Sequence, residues 1–117
     1  MNETRKTLLA SRLRMAFSAQ EKRSVRALTI RPGDGVWVES CREVDMTGMS
    51  APLDLLFLDA DHRVVARVSH IEPGAVTPRI GVAQGVLELP AGTITSTHTE
   101  IGDRILIEPI GADCAAS

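Results

Sequence analysis

Apolar and polar residues alternate along several short stretches of the chain, a pattern that predicts β-strands. The strongest stretch is the apolar run Leu53–Leu58, which is interrupted only by Asp54. A short polar connection separates this run from Val64–Ile71, so the two stretches predict an antiparallel hairpin. The full set of predicted strands is Leu8–Phe17, Val36–Glu39, Leu53–Leu58, Val64–Ile71, Val86–Leu89 and Arg104–Ile107.

One helix is predicted between the first two strands. Ser18 stands three residues before Glu21, which has the form of a capping box and predicts a helix over about residues 19–28. The segment Cys41–Met49 has no clean period and is predicted to be an ordered loop, whereas Thr93–Glu100 predicts a weak helix or an irregular turn. Five or six short strands with one helix predict a mainly β fold. We expect a compact antiparallel β-sandwich or barrel-like domain with the helix on one flank.

Length and composition are those of a single globular domain. A chain of 117 residues fits one hydrophobic core, so we expect one domain over residues 1–117, with the small-residue stretch 111–117 frayed. Apolar residues make up 44% and charged residues 24%, close to an ordinary globular average. Two Phe, one Trp and no Tyr leave the core to Leu, Ile and Val, with few aromatic surfaces for stacking sugars or bases.

The charge pattern bears on which partners the chain binds. The formal net charge is −2, and the one basic concentration, Arg5–Arg31, is interleaved with Glu3 and Glu21, so we expect no nucleic-acid partner. No stretch approaches the roughly 20 apolar residues that span a bilayer, so we expect no membrane association. Unless a leader has been removed, we expect a cytoplasmic protein. Two cysteines, Cys41 and Cys114, are too few for a disulfide scaffold.

Three sequence motifs together resemble a known family. Met49–Asp59 contains Pro-Leu-Asp, an apolar pair and Phe-Leu-Asp; Val86–Gly92 contains Leu-Glu-Leu-Pro-Ala-Gly; Gly102–Ile105 begins with Gly-Asp. In order and spacing, across about residues 41–107, the set is similar to the prokaryotic family known as domain of unknown function 192. The resemblance implies a mainly β fold and a prokaryotic source. It supplies no activity, because the family is uncharacterised.

The loop before the Pro-Leu-Asp strand departs from the family pattern. Some members carry Cys, an apolar residue, His-Thr and Gly-Met in this segment, and here Cys41, Val44, Gly48 and Met49 match. The histidine position holds Asp45, and the threonine position after it holds methionine. No role that depends on this histidine is therefore carried over to the chain.

Two carboxylates within strands are candidate site residues. A carboxylate such as Asp54 is costly to bury without partners, so it either faces solvent or accepts hydrogen bonds, for example from N–H groups of the Cys41–Met49 loop. Glu88 points to the opposite face from Leu87 and Leu89. It lies either on a solvated face or beside Asp54, where the pair would anchor an Arg or a small ligand, or do general acid–base chemistry.

The only cluster of soft donors is Cys41, Met46 and Met49, with Asp45 among them. Thiolate and thioether sulfurs suit Cu(I), but the three histidines of the chain lie elsewhere in the sequence, and Met and free Cys are also ordinary core residues. We therefore expect no bound metal and no cofactor. A nucleophilic Cys41 needs a histidine base in reach, and none is local, so no catalytic residue is assigned.

The sequence thus leaves the function open between different classes. The preferred hypothesis is a non-catalytic domain that binds a small molecule or a protein partner. One alternative is an enzyme of unassigned chemistry that uses Asp54, Glu88 or Cys41, and another is soft-metal binding at the Cys41–Met49 loop. The candidate binding residues are Cys41, Asp45, Met49, Asp54 and Glu88.

Overall fold

The computed structural model describes residues 1–26 and 30–107 of the chain. In chain order the elements are β1 (Arg12–Ala16), α1 (Ala19–Arg26), β2 (Asp34–Glu39), β3 (Leu53–Leu58), β4 (Val64–Ile71), β5 (Gly85–Pro90) and α2 (Thr93–Thr97). β3 and β4 have the predicted bounds and pair antiparallel, which confirms the hairpin. The end of the predicted helix at residues 27–28 and the tail 111–117 lie outside the described residues.

Both helices are short and begin where the sequence predicts. α1 opens with a reciprocal capping box, in which Ser18 N donates to Glu21 Oε1 at 3.0 Å and Glu21 N donates to Ser18 Oγ at 3.1 Å. α2 occupies the first part of Thr93–Glu100 and ends at His98, whose φ of 55° is left-handed. In the described part of the chain, no helix is long and apolar enough to cross a membrane.

The strands form one mixed sheet in the order β1-β2-β5-β3-β4. β5 is central and pairs antiparallel with both β2 and β3, so the mainly β prediction is confirmed. The expectation of a wholly antiparallel fold needs correction, because β1 runs parallel to β2. The reason lies in the connection: α1 separates the two strands in sequence and provides the crossover that a parallel pair requires.

The sheet is covered by loops and a helix rather than by a second sheet, which corrects the expected sandwich or barrel. β1 and β4 are the ends of the strand order, so the described strands form an open sheet. Leu53, Leu55 and Phe57 project from β3 to one side, which we call the loop face, because residues of the Cys41–Met49 segment pack there. Alternate residues project to the other side, which we call the α2 face.

Both faces bury a hydrophobic cluster, which explains why the apolar run of β3 is continuous. All six β3 residues are buried. On the α2 face, Leu56 and Leu58 pack with Trp37, Ile94 and Ile105. The loop face instead packs aliphatic residues of β2 and β5 against the loops, with Met46 fully buried among them.

The predicted last strand, Arg104–Ile107, is not part of the sheet. Its residues make isolated bridges, Arg63 with Arg104 and Asn2 with Ile105. Glu3 N donates to the Arg104 carbonyl at 2.8 Å, and Leu106 N donates to the Met1 carbonyl at 2.8 Å. Ile105 is buried and Leu106 is exposed, as in a strand. The backbone of this segment, however, is hydrogen-bonded mainly to the start of the chain.

Candidate functional site

A cavity of about 190 Å³ lies between the Cys41–Met49 loop and the loop face of the sheet. Its lining divides into apolar and charged residues. The apolar and sulfur-containing side chains are those of Val38, Cys41, Val44, Met46 and Met49. The charged side chains are those of Lys22, Glu43, Asp45 and Glu88.

The loop that covers the cavity is held by backbone hydrogen bonds to a second loop, residues 72–84. Met46 N donates to the Ala75 carbonyl at 2.8 Å, and Thr77 N donates to the Val44 carbonyl at 2.9 Å. Thr77 is buried, and its hydroxyl oxygen accepts from Val44 N at 2.9 Å. These bonds satisfy backbone groups that a loop without regular structure would leave unpaired, so the cavity wall is ordered.

Asp45 shapes the loop at the edge of the cavity. Its Oδ1 accepts a hydrogen bond from Thr47 N at 2.8 Å, a local turn that Asp favours. The residues on either side, Val44 and Met46, are buried in the core, whereas Asp45 is exposed. The apolar pair therefore anchors the loop to the sheet, and Asp45 lies at the exposed rim of the cavity.

Cys41 lies at the beginning of the same loop as a half-buried thiol. Its Sγ donates to the Glu43 carbonyl at 3.0 Å. Burial raises the pKa of the Cys41 thiol, and the charges of Glu88 and Glu43 add to this, while the Glu43 backbone and Lys22 act in the opposite direction. A raised pKa keeps the group protonated near neutral pH, so Cys41 is a poor nucleophile and a poor metal ligand there.

Glu88 projects from the central strand into the loop face. It is paired with Val36 of β2 and Leu55 of β3, and partners in antiparallel strands share a face. Glu88 is therefore flanked by apolar neighbours and is half-buried. The Glu88 carboxylate therefore lines the cavity and does not lie on an open, solvated face of the sheet.

Asp54 lies on the opposite face, which corrects the hypothesis that it converges with Glu88. In the register of β3 and β5, Asp54 is opposite Leu89, a residue of the α2 face. Its carboxylate accepts hydrogen bonds from His70 N at 2.8 Å, Gly92 N at 3.1 Å and Ile94 N at 2.8 Å. Asp54 is an acceptor for buried donors, as predicted, but these donors belong to β4 and the start of α2, not to the Cys41–Met49 loop.

The structure thus brings four of the five candidate residues together: Cys41, Asp45, Met49 and Glu88 line one cavity. Sequence reasoning did not place Lys22, Glu43 or Val38 there. Lys22 belongs to α1, which is distant in sequence and reaches the cavity only through tertiary packing. No local sequence signal identifies it.

The histidines of the chain lie outside this cavity. His62 packs against the Trp37 ring with 5.6 Å between centroids, and His70 pairs with Glu72 at 2.9 Å. His98 ends α2. Within residues 1–26 and 30–107, no three His, Cys, Asp or Glu side chains are grouped so that they could hold a metal ion.

A wider groove of about 400 Å³ lies where β5 ends and α2 begins. Among the residues that the structure describes, its lining consists of apolar residues, glycines and hydroxyl side chains and includes no charged residue. The hydroxyls already donate within the turn: Thr93 Oγ1 to the Pro90 carbonyl at 2.7 Å and Ser96 Oγ to the Thr93 carbonyl at 3.2 Å. Its lining therefore offers fewer groups for recognising a ligand than the Cys41 cavity does.

The family model of domain of unknown function 192, described as an uncharacterised family, matches residues 9–107. The chain belongs to this family. The match begins well before residue 41, where the motif resemblance starts, so β1, α1 and β2 are part of the shared domain. A search of the curated proteins found no match.

Two solved structures share the fold of this domain of unknown function 192 protein. A protein of unknown function from Novosphingobium aromaticivorans DSM 12444 has a TM-score of 0.71 and 19% identity, over 81% of this chain and 74% of its own. A "putative transcription regulator" from Sinorhizobium meliloti 1021 has a TM-score of 0.70 and 22% identity, over 79% of this chain and 78% of its own. At these identities the likeness shows the fold alone.

Two of the motifs that mark the family meet in the fold. The Asp of Pro-Leu-Asp, Asp54, binds the backbone N–H of Gly92, the last residue of Leu-Glu-Leu-Pro-Ala-Gly. The third motif fixes the start of the chain: Asp103 Oδ2 accepts from Asn2 Nδ2 at 2.9 Å and Arg5 Nε at 2.7 Å. Asp54 and Asp103 therefore have structural partners, whereas Met49 and Glu88, which belong to the same motifs, line the cavity.

Proposed function

We propose that this chain is a non-catalytic binding domain that takes a small molecule in the cavity beneath the Cys41–Met49 loop. The observation that carries the proposal is the cavity itself, which joins an apolar floor to a few charged groups. Ligand sites are typically concave, mostly apolar and equipped with a small number of convergent polar groups. The ordered loop that covers the cavity adds support, because a preformed site loses less entropy on binding.

The volume limits the size of the ligand. Water occupies about 30 Å³ per molecule in the liquid, so a cavity of about 190 Å³ holds a compound of about six non-hydrogen atoms. Drug-sized ligands occupy larger pockets, of at least about 300 Å³. The proposed ligand is therefore a small metabolite-like molecule or one end of a longer one.

The alternative of an enzyme that uses Asp54, Glu88 or Cys41 has less support. Asp54 and Glu88 lie on opposite faces, so they are not arranged for paired general acid–base chemistry. Cys41 has a raised pKa and lies apart from the histidines. A soft-metal site at the same loop has less support for the same reason, because it needs the Cys41 thiolate.

A protein partner is the other form of the binding hypothesis. The large exposed apolar side chains of the described residues include Phe17 beside α1 and Val76 and Val82 in the loop 72–84. A concave site favours a small molecule over a flat partner surface. The cytoplasmic location stays a prediction; in that reducing compartment Cys41 would remain a free thiol.

A fragment screen tests the proposal. Compounds of about six non-hydrogen atoms are titrated into the ¹⁵N-labelled chain, and amide chemical shifts are recorded by NMR. We expect millimolar binding by some of them, with the largest shifts in residues 41–49. In Cys41→Phe, a phenyl ring replaces the smaller thiol at the cavity wall and should abolish these shifts. The matched control Val82→Phe places the same ring at an exposed position and should leave binding unchanged. Absence of any hit at the cavity would contradict the proposal.

A further inference from the structure

A β-bulge in β4 lies directly before the loop 72–84, which holds the wall of the cavity. We propose that this bulge is a positioning device: the left-handed backbone of His70, held by Asp54, sets how often the Cys41–Met49 loop opens. The linkage between the bulge and the loop is independent of the proposed function, and only its consequence for a bound ligand rests on that function. Three features carry it: the register of the strands, the conformation of His70 and the hydrogen bonds between the two loops.

The register of β3 and β4 contains one extra residue on the β4 side. Leu53 is opposite Ile71 and Leu55 is opposite Val68, so one residue of β3 faces two residues of β4. Val68 and Ile71 are three residues apart, and in a regular strand they would project to opposite faces. Both nevertheless pack in the hydrophobic cluster of the loop face. The bulge therefore turns Ile71, and with it the start of the loop 72–84, to the face that carries the cavity.

His70 gives the bulge its shape. Its φ of 55° lies in the left-handed region, which a residue with a Cβ adopts only at a cost. The His70 N–H donates to Oδ1 of the buried Asp54 at 2.8 Å, and this bond would break if the backbone relaxed. The imidazole is 60% exposed and pairs with Glu72 at 2.9 Å. The backbone of His70 is thus held from within the sheet, whereas its side chain lies at the surface.

The segment that follows the bulge is bonded to the loop over the cavity. Ile71 is buried in the loop-face cluster, and Ala75 packs against the same cluster. Gly74 N donates to the Met46 carbonyl at 3.0 Å, and Met46 N donates to the Ala75 carbonyl at 2.8 Å. Met46 in turn lines the cavity. If His70 left the left-handed region, Ile71 would turn away from the loop face, and these hydrogen bonds to Met46 would be pulled apart.

Two variants of His70 test the linkage without altering a core side chain. His70→Val removes the imidazole and introduces a β-branched side chain, which strongly disfavours a positive φ. The matched control His70→Gly removes the same imidazole but adopts a positive φ freely. Native-state hydrogen exchange is measured by NMR for the N–H groups of Met46 and Thr77, whose bonds join the two loops, and for those of β5. We expect Met46 and Thr77 to exchange about tenfold faster in His70→Val than in His70→Gly.

Equal exchange of the Met46 and Thr77 amides in the two variants would overturn the linkage, whatever happens in β5. Exchange of these two amides at the rate of β5 in the wild type would also overturn it, because the loops would then open only when the whole domain unfolds. If His70→Val does not fold, His70→Ala takes its place against the same control, with an expected acceleration of about fivefold. The measurement needs no ligand, so a fragment screen without hits would contradict the proposed function and leave this linkage standing.

Discussion

Replacing Asp54 by alanine is the sharpest test of how the sheet and α2 are joined. The Asp54 side chain is 1% exposed, and its two oxygens accept three backbone hydrogen bonds of 2.8–3.1 Å. Two of these donors, Gly92 and Ile94, belong to the turn that begins α2, whose N-cap makes no side-chain hydrogen bond of its own. Asp54→Ala removes the common acceptor and leaves three N–H groups without it.

The expected cost follows from the burial of these donors. An orphaned buried donor costs about 1–3 kcal/mol, and the Ile94 bond is buried whereas the His70 and Gly92 bonds are partly buried. Water can take the place of Asp54 at the partly buried N–H groups of His70 and Gly92, so the three costs do not add in full. We expect Asp54→Ala to lower the free energy of unfolding by about 3 kcal/mol.

Urea denaturation measures this difference. Trp37 is the only tryptophan and is 2% exposed, so its fluorescence reports unfolding, and far-UV circular dichroism provides a second probe. With an m-value of about 1–3 kcal/mol per molar urea, the midpoint should fall by about 1–3 M. The control is Asp59→Ala, which removes a carboxylate that accepts two exposed turn N–H groups and should cost about 1 kcal/mol or less. Equal midpoints for the wild type and Asp54→Ala would refute the reasoning.

Three further predictions concern packing, pH and metal content. Gly85→Ala would place a Cβ 2.5 Å from the Trp37 ring and should cost about 2–3 kcal/mol in urea denaturation, whereas Gly81→Ala, with no atom within 4 Å, should be nearly neutral. Burial opposes ionisation of Asp103, but hydrogen bonds from Asn2, the Glu100 backbone and Arg5 outweigh it and hold its pKa below the usual range. The advantage of the wild type over Asp103→Asn should therefore be constant above about pH 5 and shrink as pH falls below about 4; a constant difference down to pH 2 would contradict this. Elemental analysis of the purified chain should find no stoichiometric copper or zinc, and one metal per chain that is lost in Cys41→Ser would show the opposite.

The fold was predictable where local pattern and tertiary environment agree. The β3–β4 hairpin follows from two β-rich runs around a polar turn, and α1 begins at its capping box because both bonds form within four residues. The parallel pairing of β1 and β2 is decided by a crossover, which no alternation pattern encodes. Arg104–Ile107 alternates as a strand does, but its main partner lies about 100 residues away.

The candidate site was predictable in its residues more than in its arrangement. Cys41, Asp45 and Met49 lie in one short loop, so their grouping follows from the sequence, and the alternation of β5 placed Glu88 on the face away from Leu87. The sequence alone does not give the relative orientation of β3 and β5. For this reason the separation of Asp54 from Glu88 on opposite faces emerged only from the register of the two strands.

The most direct test of a ligand site beneath the Cys41–Met49 loop is a crystal structure of the chain soaked with the tightest compound from the fragment screen. The account predicts electron density for that compound between Met49 and Glu88, with its polar group towards the carboxylates and its apolar part against Met46. Density confined to the groove beside Pro90 and Gly92, or a cavity filled by the loop's own side chains, would contradict it.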